Sequence, residues 1–118
     1  VIDDLYHARG DDVERPLAVN ADYVSQLRRH LKPQGSLVMN FVVGPGHDQV
    51  FRQACNSFRD AFASIRRIVP PLSHNEILIG TQHPHPPASP RLLQEWTEQF
   101  SSAEDREHWK ELRTLKLR

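Results

Sequence analysis

The chain has one cysteine, Cys55, among 118 residues. An internal disulfide is therefore excluded, and the scarcity of thiols fits a reducing setting, so a cytoplasmic location is expected. Long hydrophobic runs are missing too. The longest near-continuous one, residues 37–43, falls far short of the ~20 residues that a membrane span needs, and no signal-peptide pattern is visible in this stretch. Neither sign of charge is in surplus: 15 Lys and Arg stand against 15 Asp and Glu. Composition thus gives no reason to expect nucleic acid or a membrane as partner. Hydrophobic residues make up 38%, below the usual globular share, and there are nine prolines. With a mean hydropathy of −0.59, the chain supports one modest core and a sizeable irregular fraction.

What is present reads as alternating strands and helices. Val1-Ile2-Asp3-Asp4 looks like the end of a buried strand entered partway through. Residues 5–19 contain Gly10, Asp11, Asp12, Glu14, Arg15 and Pro16, and read as an exposed loop. Asn20 is a good N-cap, Asp22 suits a first turn, and Arg28, Arg29 and His30 suit a last one. Between them Tyr23, Val24, Leu27 and Leu31 share one helical face, and Pro33 and Gly35 stop the helix. Residues 36–43 form a strand covered on both faces. After Gly44-Pro45-Gly46, the residues Phe51, Ala54, Cys55, Phe58 and Phe62 repeat at helical spacing over about four turns. Strands over 65–69 and 76–81 follow. The short loop at 70–75 makes them antiparallel neighbours, because a parallel crossover needs a dozen residues or more.

His83-Pro84-His85-Pro86-Pro87-Ala88-Ser89-Pro90 reads as a stiff linker. Ser89 with Pro90 starts a third helix bearing Leu92, Leu93, Trp96 and Phe100. Ser101 with Glu104 resembles a capping box for a last helix carrying Trp109 and Leu112. The order is β-loop-α-β-α-β-β-linker-α-α, with no internal repeat. It divides into residues 1–82, a Pro/His-rich linker at 83–90 and a helical extension at 91–118. The predicted class is α/β: the second half of a Rossmann-like methyltransferase sheet with its last strand antiparallel, followed by two C-terminal helices. In such folds the cofactor-binding glycines follow the first strand, so most of that site is expected upstream of Val1. A half-sheet that starts there leaves one edge unpaired, and a homo-oligomer is expected through it.

Three blocks carry a resemblance to a known family. Val1-Ile2-Asp3-Asp4-Leu5-Tyr6-His7 resembles a fourth strand that ends in an Asp, two residues, then a second Asp. Pro16 to Tyr23 and Leu31 to Asn40 resemble a run of the form P-x-x-L-T-x-E-F … L-x-P-G-G-x-L-x-x-N. Asn75-Glu76-Ile77-Leu78-Ile79-Gly80 resembles an N-x-I-L-I-A closing strand. Together they are similar to the spermidine synthase (polyamine aminopropyltransferase) branch of the S-adenosylmethionine-dependent methyltransferase superfamily, over about two-thirds of the chain.

The resemblance implies aminopropyl transfer from decarboxylated S-adenosylmethionine to a small-molecule amine. A methyltransferase using S-adenosylmethionine itself and a non-catalytic dimerising module are the alternatives. By alignment Asp4 is the carboxylate that orients and deprotonates the attacking nitrogen; an ammonium is not nucleophilic until it loses its proton. His7 stands where the family has its second Asp, which holds the cationic substrate. Asp11 and Asp12, with Glu14, lie on the loop that folds over the substrate in relatives, and Tyr6 and His7 are candidates to line the crevice. No cofactor-binding residue is assigned.

Other features have plainer readings. Asp3 reads as a strand-end aspartate, and Asn40 as a strand-end residue near the same crevice. His74, His83 and His85 lack cysteine or carboxylate partners at ligand spacing, so no metal is expected. Cys55 falls on an apolar helix face and reads as core. Trp96 and Trp109 read as packing residues, and Arg28-Arg29 and Arg66-Arg67 as solvated faces.

Overall fold

The computed structural model describes residues 1–84 and 90–118. Asn20 caps α1 (Ala21–Arg29), its side-chain oxygen accepting from Tyr23 N at 2.9 Å. The cap satisfies a backbone donor that the first helical turn leaves open. Leu27 and Leu31 pack beside the core while Val24 is fully buried. β4 (Ser36–Val42) turns Leu37, Met39 and Phe41 into the core and leaves Val38, Asn40 and Val42 half-buried on the other face. α2 (Asp48–Ala61) lays Phe51, Ala54 and Phe58 onto that core. Arg28 Nη1 donates to Ala61 O at 2.7 Å, tying the ends of the two helices together.

These elements build an α/β structure on a mixed five-stranded sheet. β1 (Ile2–Asp3) lies parallel to β4, pairing Ile2 with Val38 and Asp3 with Met39. β6 (Asn75–Thr81) lies antiparallel between β4 and β5 (Ser64–Val69), as the short loop between β5 and β6 requires. The outer edge of β5 takes β7 (Arg113–Lys116), again antiparallel. α3 (Pro90–Gln99) and α4 (Ala103–Glu111) complete the four helices of the described residues. No helix among them is long and apolar enough to cross a membrane.

Three expectations needed correction. Residues 5–19 are not all loop: β2 (His7–Arg9) and β3 (Asp12–Glu14) form a hairpin around Gly10-Asp11. Gly10 has φ +62°, the positive φ that a two-residue hairpin turn demands and that glycine supplies without strain. The C-terminal extension is not wholly helical either. α4 stops at Glu111, and β7 joins the main sheet. Leu117 N then donates to Ile65 O at 3.0 Å, and Leu117 packs against the core. Finally, the last helix is capped by Ser102, which accepts from Asp105 N at 2.9 Å, one residue beyond the predicted Ser101 and Glu104. Adjacent serines offer equivalent hydroxyls, and the backbone chose the second.

Trp109 packs edge-tilted on Phe100, with ring centroids 5.5 Å apart. The predicted Ser89 cap, His85, and the side chains of Leu92, Leu93 and Trp96 lie outside the described residues.

One close approach tests the packing. A Cβ built at Gly80 on β6 would overlap the ring of Phe62, which is buried and packs at a tilt against Phe58 with centroids 5.3 Å apart. Gly80→Ala should therefore cost about 1–3 kcal/mol by overpacking. Chemical denaturation would measure it, and Phe62→Leu in the same chain should recover part of the loss.

Candidate functional site

β1 and β4 run parallel, so their carboxyl ends open at the same end of the sheet. The chain leaving β1 folds back over that end. Tyr6 Oη donates to Asn40 O at 3.3 Å and accepts from Val42 N at 2.8 Å. Arg15, the residue after β3, reaches the same place: Nη2 pairs with Asp3 Oδ1, and Nη1 donates to Asn40 O at 3.3 Å. Its guanidinium lies 5.2 Å from the ring centroids of both Tyr6 and Phe41, where cation–π attraction is favourable.

Asp3 is the hub of this network. Tyr23 of α1 donates its hydroxyl to Asp3 Oδ2 at 2.7 Å, and Leu5 N donates to Oδ1 at 3.2 Å. The Asp3 and Arg15 side chains are each only 4% exposed. Burial, then the hydrogen bond to Asp3, push the Tyr23 phenol above its ordinary value. Arg15 Nε is buried without a hydrogen-bond partner, a desolvation cost that the remainder of the cluster offsets.

The predicted site residues divide. Asp4 is exposed, and its Oδ1 accepts from Asn40 Nδ2 at 2.9 Å. His7 Nε2 lies 3.2 Å from Glu14 Oε1, while the other Glu14 oxygen takes Arg9. The Arg9 hydrogen bond holds the Glu14 carboxyl below its ordinary range. Asp12 accepts from Val13 N at 2.7 Å and meets His47 Nε2 at 3.1 Å. The Val13 bond first, then the His47 bond, lower its pKa. Asp11 sits exposed at the hairpin turn.

Under the hairpin, against the start of α2, is a crevice of about 550 Å³ lined by Tyr6, Arg9, Asp12, Glu14, Arg15, Leu17, His47 and Val50, among others. Its size suits a small molecule. The structure thus brings Tyr6 and Asp12 to the crevice, whereas Asp4, His7 and Asp11 are outside its lining. His7 touches the site only through Glu14.

Arg15, Tyr23 and His47 carry much of the geometry and escaped the sequence reading. Arg15 sits among charged loop residues with nothing to single it out, and Tyr23 reads as an ordinary apolar-face residue. His47 has one visible signal, its position just before α2, yet it makes no side-chain cap there and reaches across to the hairpin instead. Cys55 is half-buried, and burial raises its thiol above the ordinary value, so it is not an activated nucleophile. No group of three or more His, Cys, Asp or Glu among the described residues is placed to hold a metal; His83 meets Pro33 O at 2.9 Å.

No family of known proteins, no curated protein and no solved structure matches the chain. Function must therefore be argued from this end of the sheet.

Two expectations test the cluster. Asp3→Asn should cost about 3–5 kcal/mol, because it strands a buried guanidinium. The double change Asp3→Leu with Arg15→Met should cost far less, since no charge is then left unpaired. Urea denaturation of both variants checks this. The second concerns pH. Asp12 and Glu14 have lowered folded pKa values, so their pairs contribute fully above the ordinary carboxyl range of about pH 4 and lose that contribution as pH falls through the depressed values. Protection of the Val13 amide, which donates to Asp12 Oδ1, corrected for the slower intrinsic exchange at low pH, should fall on acidification before protection of the Phe58 amide does.

Proposed function

We propose that this chain forms the acceptor side of a spermidine-synthase-like transferase, on the second half of a Rossmann-like methyltransferase sheet. The reaction is transfer of an aminopropyl group from decarboxylated S-adenosylmethionine to an amine. The nitrogen lone pair attacks the carbon beside the sulfonium; the C–N bond forms as the C–S bond breaks, and a neutral thioether leaves. Asp4 takes the proton that the nitrogen must lose.

The observation that carries this reading is the setting of Asp4. It is an exposed carboxylate at the carboxyl end of a parallel strand, where ligands bind in open α/β sheets, and Asn40 aims it from the neighbouring strand. The main chain of Asn40 is in turn fixed by Tyr6 and Arg15. The carboxylate is accordingly preorganised yet reachable. The reversed β6 between β4 and β5 supports the finer fold assignment, since that superfamily's sheet also finishes with an antiparallel strand.

The donor is a substrate of this reaction rather than a resident cofactor. The glycine turn after β4 offers it no cradle, because Asp48 already accepts from Gly44 N at 3.1 Å. His7 in place of a second Asp favours one other reading on the same scaffold: methyl transfer from S-adenosylmethionine to an uncharged acceptor.

The test is a transfer assay on the protein isolated from its own cells, with each labelled donor and a panel of amines. Asp4→Asn should lower kcat by about 10²–10⁴-fold, the usual worth of a positioned base, while the exposed position leaves stability unchanged. Transfer from neither donor would overturn the proposal, and methyl transfer alone would select the second reading.

A further inference from the structure

The charges and walls of the crevice specify its acceptor. A polyamine presents two or more ammonium groups and needs carboxylates free to meet them. The two carboxylates that line the crevice are both committed. Glu14 is shared by Arg9 and His7, and Asp12 is held by His47 and Val13 N. Three basic groups, Arg9, Arg15 and His47, face the same space. Arg15 is matched by Asp3 behind it. An entering polycation therefore finds no surplus of negative charge, and it would have to displace Arg9 or His47 to gain a partner.

The walls tell the rest. Leu17 is 48% exposed and Val50 37% exposed, and both border the crevice with Val13, Ala18 and Val42. Apolar side chains left open around a cavity of small-molecule size mark a surface that a ligand's apolar body would cover. Tyr6, two residues on from Asp4, lines the crevice as well.

We propose that the acceptor is a monoamine with an apolar body: its hydrocarbon or aryl part lies against Leu17 and Val50, and its one amino group is presented beyond Tyr6 to Asp4. This rests on the transferase reading for the role of the amino group, but the ligand class is argued from the crevice alone. Leu17 and Val50 become specificity-determining residues, and Arg9 becomes the group that rejects polycations.

The test is a calorimetric titration of the full chain with 2-phenylethylamine, putrescine and spermidine at fixed ionic strength. Phenylethylamine should bind at least about tenfold more tightly than either polyamine, the order of discrimination that an apolar pocket supplies. Leu17→Asn should weaken its binding at least about tenfold, and Val50→Asn should act in the same direction; both sites are exposed, so the fold is retained. Arg9→Ala frees Glu14 and should raise the affinity for spermidine relative to phenylethylamine severalfold. Polyamines binding as tightly as the monoamine, no binding of the monoamine, or indifference to Leu17→Asn would each overturn the proposal. Binding retained in a protein that transfers nothing would sink the transferase reading and leave the ligand class standing.

Discussion

The buried pair between Asp3 and Arg15 is the constraint on which this end of the molecule depends. Asp3 belongs to β1, Arg15 to the chain leaving the hairpin, Tyr23 to α1, and Asn40 to β4. Four separate elements of the chain are thereby pinned at one point. Such a pair is an expensive way to gain stability, because desolvating two ions offsets much of their attraction. What it does supply is registration. Arg15 cannot hold Asp3 without also bringing its guanidinium under Tyr6, and that places the hairpin over the carboxyl ends of β1 and β4. A hydrophobic contact would have tolerated sliding; a hydrogen-bonded ion pair does not.

The main layers of the fold were legible in the sequence, and the reasons are local. Asn20, Pro33 and Gly35 bracket α1; the Phe51, Ala54, Phe58 and Phe62 spacing marks α2; and the short 70–75 loop forces β5 and β6 to be antiparallel. Each signal lies within a few residues of the element that it specifies. The hairpin and β7 were not legible for the converse reason. His7-Ala8-Arg9, Asp12-Val13-Glu14 and Arg113 to Lys116 show no apolar alternation, since their side chains are exposed or only half-buried. They become strands because of what lies beside them: a glycine turn in one case, the open edge of β5 in the other.

The candidate site followed the same rule. Asp4 was picked out by its place at the end of a strand, Tyr6 as a crevice residue just after it, and Asp12 as part of the loop beyond; Tyr6 and Asp12 line the crevice, and Asp4 lies outside its lining. Their long-range partners come from 34 to 36 residues away in sequence, as with Asn40 and Asp4, Asn40 and Tyr6, or His47 and Asp12, and no spacing rule reaches that far. Asp3 was read as a bland strand end beside its neighbour. Burial separated the two: Asp3 is turned inward toward Arg15 and Asp4 is left facing out, so of two adjacent aspartates one is held in an ion pair and the other stays exposed at the strand end.

Tyr6 has a consequence of another kind. β1 pairs with β4 only as far as Met39, so Asn40 O and Val42 N lie past the end of the ladder. Both are taken by one phenolic hydroxyl, which gives and receives as a peptide unit would. The side chain thus stands in for the missing part of a neighbouring strand. Backbone groups of this kind, left bare on a strand rich in Val and Phe, are a template for a foreign chain to add itself. The hydroxyl of Tyr6 closes that template. In physical terms it is a guard against aggregation as much as a wall of the crevice.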